Sequence, residues 1–491
     1  MTFGRGWVPD TLQALAGNSL RTLKRTALLP PSPACGGVLY SLGGTAPELG
    51  PAMGEVLVCR LRNGQMNTGQ KQGATGRPAR RGLGKVAVWL EDDSPGRLRP
   101  LILAVVLTLS AIGLVEVASA SSVESVAQGN NPYDLPLKQA IWTVAGVVIM
   151  LVLARLPVRR IRRLGWPLLI GSLIALVLVF TPLGMSVNGN RNWLSVGGFT
   201  AQPSEFAKLS LIVWAAAILD RKQALLANWK HAVVPLGPAG GLIMLVVALG
   251  HDLGTTMIIM MIMAATMFYG GVRMKVFSVA GMICVVAALL LAATSGNRMG
   301  RISSWLGMGS EEDAEGIGYQ AQHGAYALAS GGWFGVGLGQ SRQKWNWIPE
   351  AHNDFIFSIL GEELGLAGTL LVLGLFATLA VAVFRTIART TDTFSRIVAC
   401  SVITWILGQA VVNIAMVSGL LPVIGVPLPF ISYGGSAMVS SLAGIGVILA
   451  VTRPEGEVPH PLRFRVFRRR RSLPGPAVPN AVPKQAREHA H

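Results

Sequence analysis

Glu350, His352 and Asp354 bring three ionisable side chains within five residues, and a long apolar run begins at the next position, Phe355. Charges beside a membrane segment are costly and tend to be functional. A carboxylate there suits proton transfer to or from a reacting hydroxyl. The same Asp354 also fits a structural role, as the N-cap of the helix that follows. The polar stretch from about Arg298 to Asp354 is therefore where chemistry is sought. The remaining question is which elements hold it.

Those elements are membrane spans. Of the 491 residues 51% are hydrophobic and 13% charged, with mean hydropathy +0.50. A soluble domain carries about 25% charged residues, so the chain reads as an all-α polytopic membrane protein. About ten transmembrane helices are expected, near 99–119, 138–156, 165–183, 205–219, 232–250, 253–270, 275–295, 355–384, 396–421 and 435–452, since a span needs roughly 20 apolar residues. A large external loop, 296–354, separates spans seven and eight. Residues 1–97, rich in Gly, Pro, Arg and Ser, read as a disordered cytosolic extension or as sequence upstream of a later start such as Met53 or Met66. The basic amphipathic run Thr11–Leu28 could lie on a membrane. The membrane domain covers 98–453, and 454–491 form a basic cytosolic tail. No cleaved signal peptide is visible.

The net charge of +18 does not indicate nucleic acid, because the basic residues cluster at span ends and in the tails. Arg155 to Arg163, Arg221 to Lys230, Arg273 and Lys275, Arg385 to Arg396, and Arg463 to Arg471 all fall on one side of the expected topology. Both termini are then cytosolic, and the loops at 120–137, 184–204, 296–354 and 422–434 are external. The run Arg468–Arg471 reads chiefly as an inside-positive anchor, with anionic lipid or division proteins as further partners. Cys35, Cys59, Cys284 and Cys400 have neither metal-ligand nor disulfide spacing.

Several external features carry polar groups. Glu205 and Lys208 share a helix face, and Pro203 fits that helix's first turn. They read either as a local ion pair or, with Arg191, as cations for an anionic headgroup. Asp252 fits a helix cap or part of a polar site. Gly419–Ser436 is apolar yet holds three prolines and four glycines. Non-helical backbone at membrane depth survives only when buried in protein or lining a cavity, so a re-entrant loop is expected, with Ser432 and Tyr433 as its polar contacts. Glu362 and Glu363 lie inside the eighth span and need partners. They could pair with other spans, cap a break at Gly361, or join catalysis. The glycine-rich run before Lys344 is weak as a phosphate loop, because no strand precedes it and no Lys-Ser/Thr pair follows.

At these residues the chain resembles the SEDS family (shape, elongation, division and sporulation). The strings are NGNRNWL and QPSEFAKL, DLGTT, GYQ, GWFGVGLGQSRQKWNWIPEAHNDFIFSILGEELGLAG, and QAVVNIAMVSGLLPVIGVPLPFISYGGS. They span about 100–452. IPEAHNDFIF, GEELG and PLPFISYGGS are closer to the FtsW division branch than to the RodA elongation branch. The resemblance implies a peptidoglycan glycosyltransferase that polymerises lipid II on the outer face of the cytoplasmic membrane, at the division septum. It maps the family's essential external acid onto Asp354 and substrate-handling positions onto Arg191 and Lys208. A class B penicillin-binding transpeptidase is the implied partner. The chain departs from the family at Gly250-His251-Asp252, where many members have Gln-Pro-Asp, and in its N-terminal extension.

On this reading Asp354 is the general base for the acceptor's sugar 4-hydroxyl, which displaces undecaprenyl pyrophosphate with inversion. Arg191, Lys208 and Lys344, or a divalent cation (Mg or Mn), meet the charge on the leaving diphosphate. Glu350, His352 and Ser432 complete the substrate-binding set, and no metal-ligand motif is visible. Two other classes remain: a lipid II flippase, with Glu116, Glu362 and Glu363 as a relay, and a non-enzymatic division scaffold.

Overall fold

The computed structural model describes residues 95–127, 129, 131–187, 190–196, 199–282, 319–345, 348 and 351–453. Most of the seventh expected span, residues 296–318 of the large external loop, Glu350, both tails, and the cysteines at 35, 59 and 284 lie outside the described residues.

The chain order is α1 (Pro95–Ala127), α2 (Asp134–Leu153), α3 (Val158–Leu178), β1 (Gly184–Val187), β2 (Asn190–Val196), β3 (Phe199–Ala201), α4 (Pro203–Arg221), α5 (Lys230–Leu249), α6 (Leu253–Tyr269), α7 (Tyr319–Ser330), α8 (Ile356–Ile387), α9 (Thr393–Val417) and α10 (Gly435–Val451). Among the described residues six helices are long and apolar enough to cross a membrane: α1, α2, α3, α5, α8 and α9. The apolar α6 and α10 are shorter.

The packing is inverted relative to a water-soluble bundle. Along α2 the buried residues are Gln139, Thr143, Gly146 and Met150. The exposed ones are Leu137, Ile141, Val144, Val148 and Val152. Both sets step by three or four residues, so each forms one face of the helix. An apolar stripe turned outward, with small and polar residues turned inward, is the pattern of a helix solvated by lipid. The small residues allow close approach: a Cβ on Gly446 of α10 would stand 2.6 Å from the Met150 carbonyl oxygen of α2. Likewise, a Cβ on Gly165 of α3 would meet the Trp214 backbone of α4 at 3.2 Å.

Two features depart from the expected all-helical chain. Residues 184–201 form a three-stranded antiparallel meander, β1-β2-β3, instead of an irregular loop. The alternating polar run of β2 pairs with both neighbours. The second departure is in α8. Its break lies at Gly365 (φ 68°, ψ −165°), not at Gly361. Positive φ is strained for a residue with a side chain, and Gly365 adopts it without penalty.

The 418–434 segment is non-helical; Val426 and Leu428–Ser432 are buried, whereas Ser418, Gly419, Leu420 and Gly425 are exposed. Helices close in on its backbone. A Cβ on Gly113 of α1 would lie 2.5 Å from the Phe430 carbonyl oxygen, and one on Gly254 of α6 would lie 2.7 Å from that of Ile424. Both α1 and α6 thus pack closely against its backbone.

Candidate functional site

Phe355, not Asp354, occupies the N-cap position of α8. The helix begins at Ile356 after Phe355, with no side-chain cap. Asp354 sits instead where α8 starts, beside the 418–434 segment. Its carboxylate Oδ2 lies 3.3 Å from where a Cβ on Gly425 would stand, and Gly425 has φ +74°. Its carbonyl accepts from Asn413 Nδ2 at 2.8 Å, and the same amide donates to the Val426 carbonyl at 2.7 Å. Asn413 thus ties α9, the residue at 354 and the 418–434 segment together. One turn earlier on α9, Gln409 donates to the Pro427 carbonyl at 2.9 Å. Two amides four residues apart inside an apolar span were the signal for this brace, and the sequence reading passed over them.

His352 is buried, and its ring packs edge-on to Tyr433 at 5.4 Å between centroids. The His352 carbonyl accepts from the Tyr433 backbone N–H at 3.0 Å. The Ser432 hydroxyl accepts from the Leu428 backbone N–H at 2.8 Å. Gln139 on α2 clamps this turn, donating to the Ser432 carbonyl at 3.3 Å and accepting from the Gly434 N–H at 3.2 Å. His352, Asp354, Ser432 and Tyr433 are therefore brought together, with Ser432 shaping the backbone.

The three expected cations are each engaged within the fold, Lys208 and Lys344 buried and Arg191 half-buried on β2. Lys208 is 1% exposed. It pairs with Glu205 at 2.7 Å, donates to Gln409 Oε1 at 3.0 Å and lies 5.0 Å from the Trp405 ring centroid. Of the two readings of that spacing, the geometry is that of the local pair. Arg191 donates to the carbonyls of Val179 (3.2 Å), Phe180 (3.4 Å) and Thr181 (3.0 Å). Its guanidinium thereby caps the C-terminus of α3, the end a cation stabilises. Lys344 is buried and pairs with Glu363 at 3.1 Å.

Glu362 and Glu363 hold the loop that carries Lys344. The Glu362 carboxylate accepts from Ser341 Oγ (2.5 Å) and from the N–H groups of Arg342 (3.0 Å) and Gln343 (3.4 Å). The Glu363 carboxylate accepts from Ser119 Oγ on α1 (2.6 Å), the Gly339 N–H (3.0 Å) and Lys344 Nζ (3.1 Å). Their backbones are engaged as well. The break at Gly365 frees the Glu362 and Glu363 carbonyls, which accept from the N–H groups of Val336 and Gly337 at 3.0 Å each. Beyond the break, the Leu366 and Ala367 N–H groups donate to the carbonyls of Gly332 and Trp333 at 2.9 and 3.0 Å. The glycine-rich run is a splint across a broken helix: a Cβ on Gly335 would stand 2.0 Å from the Glu363 carbonyl oxygen.

Asp252 does cap α6, accepting from the Thr255 N–H at 2.9 Å. Its other oxygen accepts from Asn192 (2.7 Å) and Gln202 (2.8 Å), which fastens the meander to the bundle. Glu116 is 1% exposed, and neither of its carboxylate oxygens has a partner among the described residues.

The lipid-facing helices define a multi-pass membrane protein. The family of cell cycle proteins FtsW, RodA and SpoVE matches residues 99–456, and the chain belongs to that family. It is 38% identical over 390 residues to a probable peptidoglycan glycosyltransferase FtsW of Mycobacterium tuberculosis, covering 76% of this chain and 74% of that one. It is 36% identical to the stage V sporulation protein E of Bacillus subtilis, covering 72% and 96%. Among solved structures it resembles a chain of a peptidoglycan synthase complex that coordinates polymerization and crosslinking (TM-score 0.60, 25% identity, 72% and 96% covered). It also resembles the rod shape determining protein RodA of Thermus thermophilus (TM-score 0.53, 26% identity, 72% and 95% covered).

Proposed function

We propose that the chain is a peptidoglycan glycosyltransferase of the division branch, polymerising lipid II on the outer face of the cytoplasmic membrane. Asp354 takes the proton from the acceptor's sugar 4-hydroxyl as that oxygen bonds to the donor's anomeric carbon. The bond from that carbon to the undecaprenyl pyrophosphate breaks, and the configuration inverts. The observation that carries the assignment is the placing of Asp354. Its backbone is fixed by Asn413 to the non-helical segment between α9 and α10, and its carboxylate lies against a glycine. A general base held this way contributes about 10²–10⁴-fold in rate.

In this reading Arg191, Lys208 and Lys344 position the site, since each is already engaged within the fold. Among the described residues no group of three or more His, Cys, Asp or Glu could hold a metal ion. A divalent cation belongs with the diphosphate of the substrate. We further propose a class B penicillin-binding transpeptidase as partner, action at the septum and cytosolic termini. The relative that is part of a synthase complex supports the partner, and the basic span ends support the orientation.

The test is reconstitution of the purified chain in proteoliposomes with lipid II, with and without the transpeptidase. Glycan strands should form, faster with the partner. Transfer of lipid II across the bilayer without any strand would sink the assignment and favour the flippase.

A further inference from the structure

Lys208 stands in a chain of hydrogen bonds that ends at the seat of the Asp354 carboxylate. Its ammonium pairs with Glu205 at 2.7 Å and donates to Gln409 Oε1 at 3.0 Å. The other Glu205 oxygen accepts from Ser440 Oγ of α10 at 3.1 Å. Gln409 Oε1 also accepts from the Trp405 indole N–H at 2.9 Å. An ammonium and an indole only donate, so the Gln409 amide has one orientation. Its Nε2 must face the Pro427 carbonyl, to which it donates at 2.9 Å. One residue earlier, the Val426 carbonyl is held by Asn413 Nδ2 at 2.7 Å. Next comes Gly425, against which the Asp354 carboxylate lies.

α4, α9 and α10 thus converge on two consecutive carbonyls beside that glycine. Glu205, Lys208, Gln409 and Asn413 are all buried. A satisfied polar network in a low-dielectric interior rigidifies what it holds. The 425–427 backbone is non-helical, so it lacks the internal ladder that would fix it otherwise. Gln409 and Asn413 share a face of α9, about 6 Å apart along its axis. Asn413 grips both the residue at 354 and the segment. Gln409 grips the segment alone, so its substitution isolates the seat.

We propose that Gln409 is a positioning residue for the Asp354 base, and that Lys208 acts through it and not on the substrate. The proposal rests on the reading of Asp354 as the general base. A base displaced by about 1 Å can lose about 10²-fold in rate, while binding of the lipid-linked donor is untouched. The family resemblance implies a different role for Lys208, as a cation for the substrate's diphosphate. The two roles part in the kinetics. Lost positioning falls on kcat, and lost substrate binding falls on KM.

The experiment measures kcat and KM for lipid II with the full chain in proteoliposomes, in wild-type and Asp354→Asn backgrounds. Gln409→Met should lower kcat roughly 10- to 100-fold with KM within about twofold of wild type. Added to Asp354→Asn, it should cost less than about twofold more, because a seat without its base has nothing left to place. Gln409→Glu, as a carboxylate, still accepts from Lys208 and Trp405 but cannot donate to Pro427. It should reproduce the kcat loss, and it stands in if Gln409→Met does not fold. Glu205→Gln/Lys208→Gln, which strands no charge, should also lower kcat and leave KM. A raised KM with kcat kept in that pair overturns the proposal and returns Lys208 to the substrate. Wild-type kinetics in both Gln409 variants overturn it as well. So does an equal fractional loss with and without Asp354, since Gln409 would then serve the fold at large. In each of these cases the base still stands. A near-wild-type rate in Asp354→Asn alone removes the base, and the proposal with it.

Discussion

At the Asp354 end of the bundle, every buried charge of the splint is matched. Glu362 is satisfied by backbone N–H groups and a serine, Glu363 by Lys344, Ser119 and Gly339. At the other end, Arg99, Arg159, Arg162, Arg389 and Arg453 line a cavity beside Asp392. Matching converts charge into rigidity, since a low-dielectric interior strengthens a satisfied network and penalises a broken one. By this contrast the buried ion pair and hydrogen bonds of Glu362, Glu363 and Lys344 build a rigid frame, while the arginines at the other end line an open cavity.

The contrast orders the expected effects of substitution. Lys344→Met should be the most damaging, about 3–5 kcal/mol, because it strands the Glu363 carboxylate in the interior. Adding Glu363→Gln should restore roughly half of that loss or more, as a double-mutant cycle would expect of a coupled pair. Thermal or denaturant unfolding in detergent measures both, and a single variant that melts like wild type would break the contrast. Gly335→Ala comes next, at about 1–3 kcal/mol, since its Cβ would stand 2.0 Å from the Glu363 carbonyl oxygen. Asp252→Ala should cost about 0.5–2 kcal/mol through the lost cap of α6, read as earlier hydrogen exchange at Thr255. Arg159→Gln at the other end should change stability by less than about 0.5 kcal/mol.

The smallest effect is one of pH. Burial alone would raise the Asp392 carboxyl, but the Ser395 hydrogen bonds and the Arg162 guanidinium outweigh it and hold the carboxyl below 3.8. A carboxyl lowered by folding contributes stability above its unfolded value and loses it as pH falls through the folded value. The capped N-terminus of α9 should therefore hold from neutral pH down to about 3.8 and loosen only below it. Hydrogen exchange at Ser395 against pH would show this. Loosening that began well above that point would contradict the lowered value.

Six of the ten expected spans, α1, α2, α3, α5, α8 and α9, were legible because apolar runs of the right length have one outcome in lipid. The segment at 419–434 was legible as broken because its prolines and glycines forbid a free helix. The meander at 184–201 was not, since its strands are short and polar and its pairing is tertiary. Nor was the splint. Glu362 and Glu363 showed only that partners were needed. That those partners would be the backbone of 339–343 and Lys344 depended on a helix break that the sequence placed four residues early. Lys208 was legible as one of two alternatives, and burial decided between them. Asp354 stood out by type and place, but the brace at Asn413 came from a residue that looked like ordinary span.

The central claim is that Asp354 reacts while the charges around it only position. The most direct measurement is the initial rate of lipid II polymerisation by Asp354→Asn in proteoliposomes, beside its melting temperature. The account predicts a loss of about 100-fold or more, beyond what any change in melting explains, with the Asn413 bond to the backbone carbonyl kept. A rate within about twofold of wild type, far short of what a lost general base costs, would contradict it.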